Sequence, residues 1–279
     1  MFNNTASLWR LSALVVSVVL LVGLSSCTSE DRVTYGTESA SSDTVNQLTA
    51  EEEAEGWRLL FDGSTFTGWR GIGRDDVPTE HWEIVDGAIH KIASGDVPVA
   101  PDGQPVAGGD LMTEETFENF ELAFEWKISP GGNSGVKYNV SEEMSTNNPL
   151  GASNAALGFE YQVLDDEGHP DAKAGDGTNR TAAALYDLKG PIENKPLKPV
   201  GEWNEGRILV QGNHAEHWLN GVKVVEYDLD SEDFKERFAR SKYVDIAGFA
   251  DKRAGHIVLQ DHNDDAWYRN IKIRVLPAE

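Results

Sequence analysis

From Trp57 onward the apolar side chains return at every second position, and a period of two commits a sequence to strands rather than helices. Phe120, Leu122, Phe124, Trp126 and Ile128 are separated by Glu121, Ala123, Glu125 and Lys127. Val136, Tyr138 and Val140 alternate with Lys137 and Asn139, and Phe159, Tyr161 and Val163 with Glu160 and Gln162. Ile257 and Leu259 alternate with His256, Gln260 and His262. Shorter runs of the same kind predict strands at 57–61, 81–85, 88–92, 206–211, 214–219, 222–227, 244–249 and 267–275. Asp62-Gly63, Asp86-Gly87, Pro130-Gly131-Gly132 and Asn220-Gly221 punctuate them, the last a hairpin signal. Only 230–240 reads as helix. Many short strands, almost no helix and no propeller-like repeat predict an all-β fold: two packed antiparallel sheets in a jelly-roll sandwich over residues 56–279.

Ahead of the sandwich, Arg10 precedes an apolar run from Leu11 to Leu24 that ends in Ser25-Ser26-Cys27. It is too short, and too closely followed by small residues, for a spanning helix. The pattern resembles a bacterial lipoprotein signal, whose cleavage leaves a lipid-modified cysteine, and Cys27 is the only cysteine in the chain. Residues 1–27 are thus expected to direct export, with lipid on Cys27 anchoring the protein to a bacterial membrane on its periplasmic or cell-surface side. No thiol then remains for a disulfide, a zinc cluster or a nucleophile. Residues 28–55 carry eight acidic residues against one Arg and few large apolar groups, the composition of a flexible acidic linker. A formal charge of −23 without any Lys/Arg run excludes nucleic acid as a partner.

Strand periodicity also bears on function. If each strand turns its apolar set inward, its polar set stands on the outer face, and where that face curves the polar residues converge. Glu125, Lys137, Glu160, Gln162, Gln260 and His262 are the candidates. Any one of them also reads as an ordinary solvated residue, but the set mixes acid, base, cation and amide. Polar loops flank these strands: Gly131-Gly132-Asn133-Ser134-Gly135, Asp165 to Ala172, Trp203-Asn204 and Asp261 to Asp265. The acidic loop after Val163 is a possible divalent-metal site, with Asp165 and His169 as weak candidate ligands, alone or with His262. It lacks the spacing of a calcium loop, and no zinc motif occurs, so no cofactor is certain. Gly-x-Ser-x-Gly is absent, and Gly71-Ile72-Gly73 lacks the third glycine of a nucleotide fingerprint.

Several motifs in order then carry a resemblance. Leu60-Phe61-Asp62-Gly63-Ser64 with Gly68-Trp69, Asn133-Ser134-Gly135, Glu160-Tyr161-Gln162 with Asp165-Asp166, and His169-Pro170-Asp171-Ala172 come first. Leu185-Tyr186-Asp187, Lys198 to Asn204, His217 to Gly221, Leu259-Gln260-Asp261-His262 and Arg269-Asn270-Ile271-Lys272 follow. Together they resemble the 3-keto-disaccharide hydrolase family, across essentially all of 56–279. The resemblance implies a concanavalin A-like sandwich with a sugar-sized cleft, in exported or lipid-anchored bacterial proteins acting on glycosides oxidised at C3.

A C3 ketone acidifies the C2 proton, so the glycosidic bond can break by elimination through an enolate, followed by hydration. That route needs a base near C2, a donor or cation at the C3 oxygen and an acid for the leaving group. Glu160 and His262 are the expected proton-transfer pair. Lys137, His169 or a bound metal is expected at the enolate oxygen, Asn133, Gln162, Gln260 and Tyr186 at hydroxyls, and Trp203 against a sugar face. Two other readings stay open: a non-catalytic lectin-like module, and a conventional glycosidase pairing Glu125 with Glu160, although no E-x-D-x-E strand is present.

Overall fold

The computed structural model describes residues 45–95, 98–99, 109–150 and 155–278; the signal segment and Cys27 lie outside them. In chain order the strands are β1 (Trp57–Leu59), β2 (Trp69–Gly71), β3 (Trp82–Val85), β4 (Ala88–Lys91), β5 (Leu111–Thr113), β6 (Phe120–Ile128), β7 (Asn133–Val140), β8 (Phe159–Leu164), β9 (Asn204–Gln211), β10 (His214–Leu219), β11 (Val222–Asp228), β12 (His256–Leu259) and β13 (Ala266–Val275). Among the described residues, three short helices, α1 (Ala50–Ala54), α2 (Glu142–Thr146) and α3 (Glu232–Phe238), and a 3-10 turn at Pro170–Lys173 accompany the strands.

The strands form two antiparallel sheets. One has eight strands in the order β11-β10-β9-β6-β13-β4-β3, with β1 continuing the edge of β13; the other runs β2-β5-β12-β7-β8. Their inner faces supply the core: Phe120, Leu122, Phe124 and Trp126 from β6 meet Val136, Tyr138, Phe159, Tyr161 and Val163 from β7 and β8. The expected all-β jelly-roll sandwich is what the chain forms. Asn220 and Gly221 take positive φ (47° and 80°) and close the β10-β11 hairpin, as a right-handed strand twist requires.

Departures from strict alternation have local causes. On β13, Tyr268 and Ile271 both enter the core because a bulge between Arg269 and Lys272, with Asn270 at φ 51°, shifts the register by one. Residues 244–249, expected as a strand, form successive turns. Amide N–H groups bond three residues back (Ile246 to Tyr243, Phe249 to Ile246), so Tyr243, Ile246 and Phe249 share the buried side. Strands β2 and β5 are three residues long, less than two periods. The end of the expected linker is folded: Thr49 and Glu52 make a reciprocal capping box on α1. Asn46 exchanges hydrogen bonds with Asn270 and donates to Gly87 O at 2.7 Å.

The five-stranded sheet carries apolar residues on one face and the polar set on the other, yet every residue of β7 and β8 is buried. Its outer face is roofed. The segment after β8 turns back so that Ala183 N–H donates to Gln162 O and Tyr186 N–H to Glu160 O, covering the sheet's edge. A small apolar group of Ile72, Met112, Val140, Ala156 and Val258 forms a separate buried cluster.

Inside the sandwich, Tyr138 OH bonds His217 Nε2 at 2.8 Å and Tyr227 OH at 2.9 Å, while His217 Nδ1 donates to Ala183 O at 3.2 Å. Burial lowers the His217 pKa to about 4, so this motif histidine is a neutral core residue. Tyr138→Phe should leave His217 short of a partner and lower the unfolding free energy by about 1–3 kcal/mol. A fall in denaturant midpoint at constant slope is the expected readout; an unchanged midpoint would assign no net stabilisation to this bridge.

Candidate active site

The candidate site is built from cross-strand register on the roofed face. Lys137 on β7 stands opposite Glu160 on β8, and Gly135 opposite Gln162. Gln260 N–H donates to Gly135 O at 2.9 Å, so Gln260, Gly135 and Gln162 make a row across three strands. Alternation turns Lys137, Glu160 and Gln162 to the same side, as expected. Gly135 is glycine because the Glu160 side chain lies over it: a Cβ there would come within 2.9 Å of Glu160 Cγ and Cδ, and closer to Oε1. The carboxyl therefore rests in the row between the two glutamines.

This patch is dry. Lys137 and Glu160 are 4% and 3% exposed, with Lys137 Nζ 3.7 Å from Glu160 Oε2 and donating to Ala156 O at 3.0 Å. Burial raises the Glu160 pKa above its ordinary value, the negative charges of Asp110 and Asp171 add to this, and Lys137 and Lys242 oppose it.

Beside the patch opens a cleft of about 530 Å³ whose lining includes Asn133, His169, Asp171, Tyr186, Lys242 and His262, within the size range of small-ligand sites. Burial, helped by the charges of His169 and Lys137, lowers the His262 pKa to about 4, so its imidazole is neutral near pH 7. Lys137 and Asp171 perturb both Glu160 and His262, which share one electrostatic neighbourhood. Tyr186 OH donates to Asp171 Oδ2 at 2.8 Å, and Asp171 Oδ1 pairs with Arg180 at 3.0 Å.

A second buried charge cluster fixes the loop that carries His262. Asp261, fully buried, meets Lys91 Nζ at 2.8 Å and His81 Nδ1 at 2.7 Å. Its burial pushes the pKa up, but these two partners hold it below the ordinary value. Asp110 accepts the N–H groups of Asp261 and Ala156, at 2.7 and 2.8 Å, tying both sides of the site together.

Two expected site residues belong elsewhere. Glu125 stands on the eight-stranded sheet, where its carboxylate takes Arg269 Nε at 2.7 Å and Asn270 Nδ2 at 2.6 Å. Trp203 lies on that same sheet, its ring under the Arg269 guanidinium at 4.1 Å and 5.1 Å from Lys127 Nζ. Alternation assigns a residue to a face without saying which sheet owns the strand.

The metal expectation also changes. Asp165 is spent on the N–H groups of Gly131, Glu167 and Gly168 at 2.7–3.1 Å, which close its loop. Asp264, not singled out from sequence although its loop was, instead joins His169 and His262, with donor atoms all within 4.8 Å of one another. Three donors with an open side match the count of a catalytic metal site. His169 Nδ1, however, accepts the Asp171 N–H at 3.2 Å, which leaves the ring proton on Nε2, the nitrogen a metal would need. Asp264 already accepts the Asn133 N–H at 3.0 Å, and burial raises its pKa. The two histidines as arranged fit hydrogen-bond donation better than metal ligation.

Sandwich and cleft together define the class: a two-sheet β protein with an acid-base cluster beside a ring-sized hollow. The chain belongs to the 3-keto-alpha-glucoside-1,2-lyase-like domain family, matched over residues 56–274, and is an enzyme of the hydrolase or lyase class. It is 38% identical over 247 residues to a 3-keto-disaccharide hydrolase of Bacteroides thetaiotaomicron, covering 83% of this chain and 82% of that one. Among solved structures, a candidate glycosyl hydrolase from Parabacteroides distasonis matches at TM-score 0.69 and 31% identity, over 84% of this chain and all of that one. A second from the same organism matches at 0.55 and 28%, over 79% and 99%.

Because the room above Gly135 is filled by Glu160, Gly135→Ala should displace the carboxyl without straining the backbone. Turnover should fall at least about tenfold, on the scale of a misplaced reacting group, and the melting temperature should fall as well, because a buried ion pair is disturbed. Wild-type kcat in this variant would show that the carboxyl's seat is unimportant.

Proposed function

We propose that this enzyme cleaves glycosides and disaccharides already oxidised at C3, by elimination followed by hydration. Removal of the C2 proton leaves an enolate; the enolate expels the C1 oxygen with the bonding pair, and that oxygen takes up a proton. Water then adds across C1=C2, hydroxyl to C1 and hydrogen to C2. The reading rests chiefly on Glu160. A carboxyl whose pKa is raised by burial is a stronger base than an ordinary carboxylate, and Lys137 at 3.7 Å keeps it ionisable. Glu160 takes the C2 proton and is then placed to give it to the departing oxygen.

His262 takes a different role from the one its residue type suggests. With a pKa of about 4 it has no imidazolium proton to give near neutrality, but a neutral imidazole still donates an N–H hydrogen bond. His262 and His169 Nε2–H are suited to the C3 oxygen as negative charge grows on it. Asn133 and Tyr186, which line the cleft, are assigned to sugar hydroxyls, whereas Gln162 and Gln260 are buried in the row beside Glu160. A two-carboxylate mechanism gains no support, because Glu125 is paired on the other sheet.

Glu160→Gln should lower kcat on a 3-keto-glucoside by about 100- to 10,000-fold with the fold retained. Wild-type activity should fall as pH drops through the raised Glu160 pKa, above the ordinary 4.5, because the base form is lost there. Aglycone release from the unoxidised glucoside at a similar rate, or full turnover by the variant, would sink the assignment.

The first 27 residues support a place at a bacterial membrane through lipid on Cys27. Cys27→Ser should shift the protein from the membrane to the soluble fraction; retention of the variant in membranes would rule out this anchor.

A further inference from the structure

A second cavity of about 250 Å³ adjoins the catalytic cleft, sharing Ala174, Arg180 and Lys242 with it. Resting on the reading of the cleft as the place where a 3-keto-glycoside is cleaved, we propose that this annex is a leaving-group subsite for a sugar bearing a carboxylate.

Charge carries the argument. The chain has a formal charge of −23, yet the annex is lined by four cations, Arg180, Arg237, Arg240 and Lys242, against two carboxylates, Asp176 and Asp187. Concentrating cations at one concave site of an acidic protein costs self-repulsion there, which an anionic ligand relieves. Arg180 is spoken for, held by Asp187 Oδ1 at 2.6 Å and Asp171 Oδ1 at 3.0 Å, and it forms the wall shared with the cleft. Arg237 Nε is held by Asp233 at 2.8 Å, which steers the guanidinium and leaves its other nitrogens for a ligand. Arg240 is exposed, and among the described residues no carboxylate lies within ion-pair distance of it. Guanidinium groups match a carboxylate through paired N–H donors, which favours this anion over a diffuse negative surface.

A second observation points to a polyhydroxylated ligand. Asn179 lines the annex at 7% exposure, and among the described residues its buried Oδ1 has no hydrogen-bond partner. A buried acceptor without a partner, on a side chain that lines the annex beside a row of cations, is suited to a sugar hydroxyl, the donor that an acidic sugar brings with its carboxylate. Lys242 links the two chambers: its Nζ lies 4.7 Å from the Tyr186 ring centroid, over a side chain that lines the cleft. A substrate spanning both would put its oxidised ring beside Glu160 and its leaving-group ring in the annex, which has about half the cleft's volume.

Calorimetric titration of the full chain with glucuronate and with glucose tests the subsite without requiring turnover. Glucuronate is expected to bind at least tenfold more tightly. The preference should shrink in high salt, as an exposed ionic contact must, and vanish in the Arg237→Gln/Arg240→Gln variant. Kinetics on 3-keto-glucosides of glucuronate and of glucose should show the same split in KM. The double variant should leave kcat for the glucose-ended substrate unchanged. Equal affinity for the two sugars, or a preference that survives the double variant, overturns the subsite. If glucuronate binds in the Arg-dependent way while neither keto substrate is cleaved, the subsite stands and the cleavage reading falls.

Discussion

Desolvation of one polar sheet face governs this molecule. Every residue of β7 and β8 in the five-stranded sheet is buried, and the segment after β8 bonds back along that strand's edge. A lysine and a glutamate on such a face are tolerable only together: each would cost several kcal/mol alone, and at 3.7 Å each offsets part of the other's burial. The same pairing keeps Glu160 chemically undecided. Burial favours its neutral form and Lys137 its charged form, so the pKa stands above the ordinary value with the cation opposing the rise. Stability and reactivity here are one electrostatic balance.

The second ionic cluster makes that balance durable. Lys91, Asp261 and His81 lie behind the His262 loop, and Asp110 bonds the backbone on both sides of the site. None of these groups needs to touch a substrate to matter, since a shift of about 1 Å in the reacting groups can cost a hundredfold in rate. Gly135 contributes in the opposite way, by leaving space: its missing side chain is where the Glu160 carboxyl sits.

Much of this was legible in the sequence. Alternation located most of the strands and put Lys137, Glu160 and Gln162 on one face, because parity within a strand survives folding. It failed where parity alone is insufficient. Glu125 shows the same pattern as Glu160 but lies on the other sheet, and no one-dimensional signal assigns strands to sheets. At Arg269-Asn270 a bulge resets the phase. At 244–249 an alternating pattern competes with turns that bury Tyr243, Ile246 and Phe249 at a spacing of three, and the turns win. The Thr49-x-x-Glu52 capping box was present in the sequence but masked by the acidic composition around it. Asp165 and Asp264 are both loop aspartates; only the fold reveals that the first closes its own loop while the second reaches the two histidines.

The census of carboxylates around the cleft favours one type of chemistry over another. A conventional glycosidase needs two carboxyl groups free to act on opposite sides of the anomeric carbon. Asp171 is committed to Arg180 and Tyr186, and Asp264 accepts a backbone N–H and is biased by burial toward its neutral form. Glu160 differs in having a cation beside it, Lys137 Nζ at 3.7 Å, against the pull of burial, and it shares the charges of Lys137 and Asp171 with the neutral His262 imidazole. A single base opposed by neutral donors is poorly matched to an oxocarbenium ion, which wants negative charge on both sides. It suits an enolate, whose charge appears on an oxygen only after one proton has left.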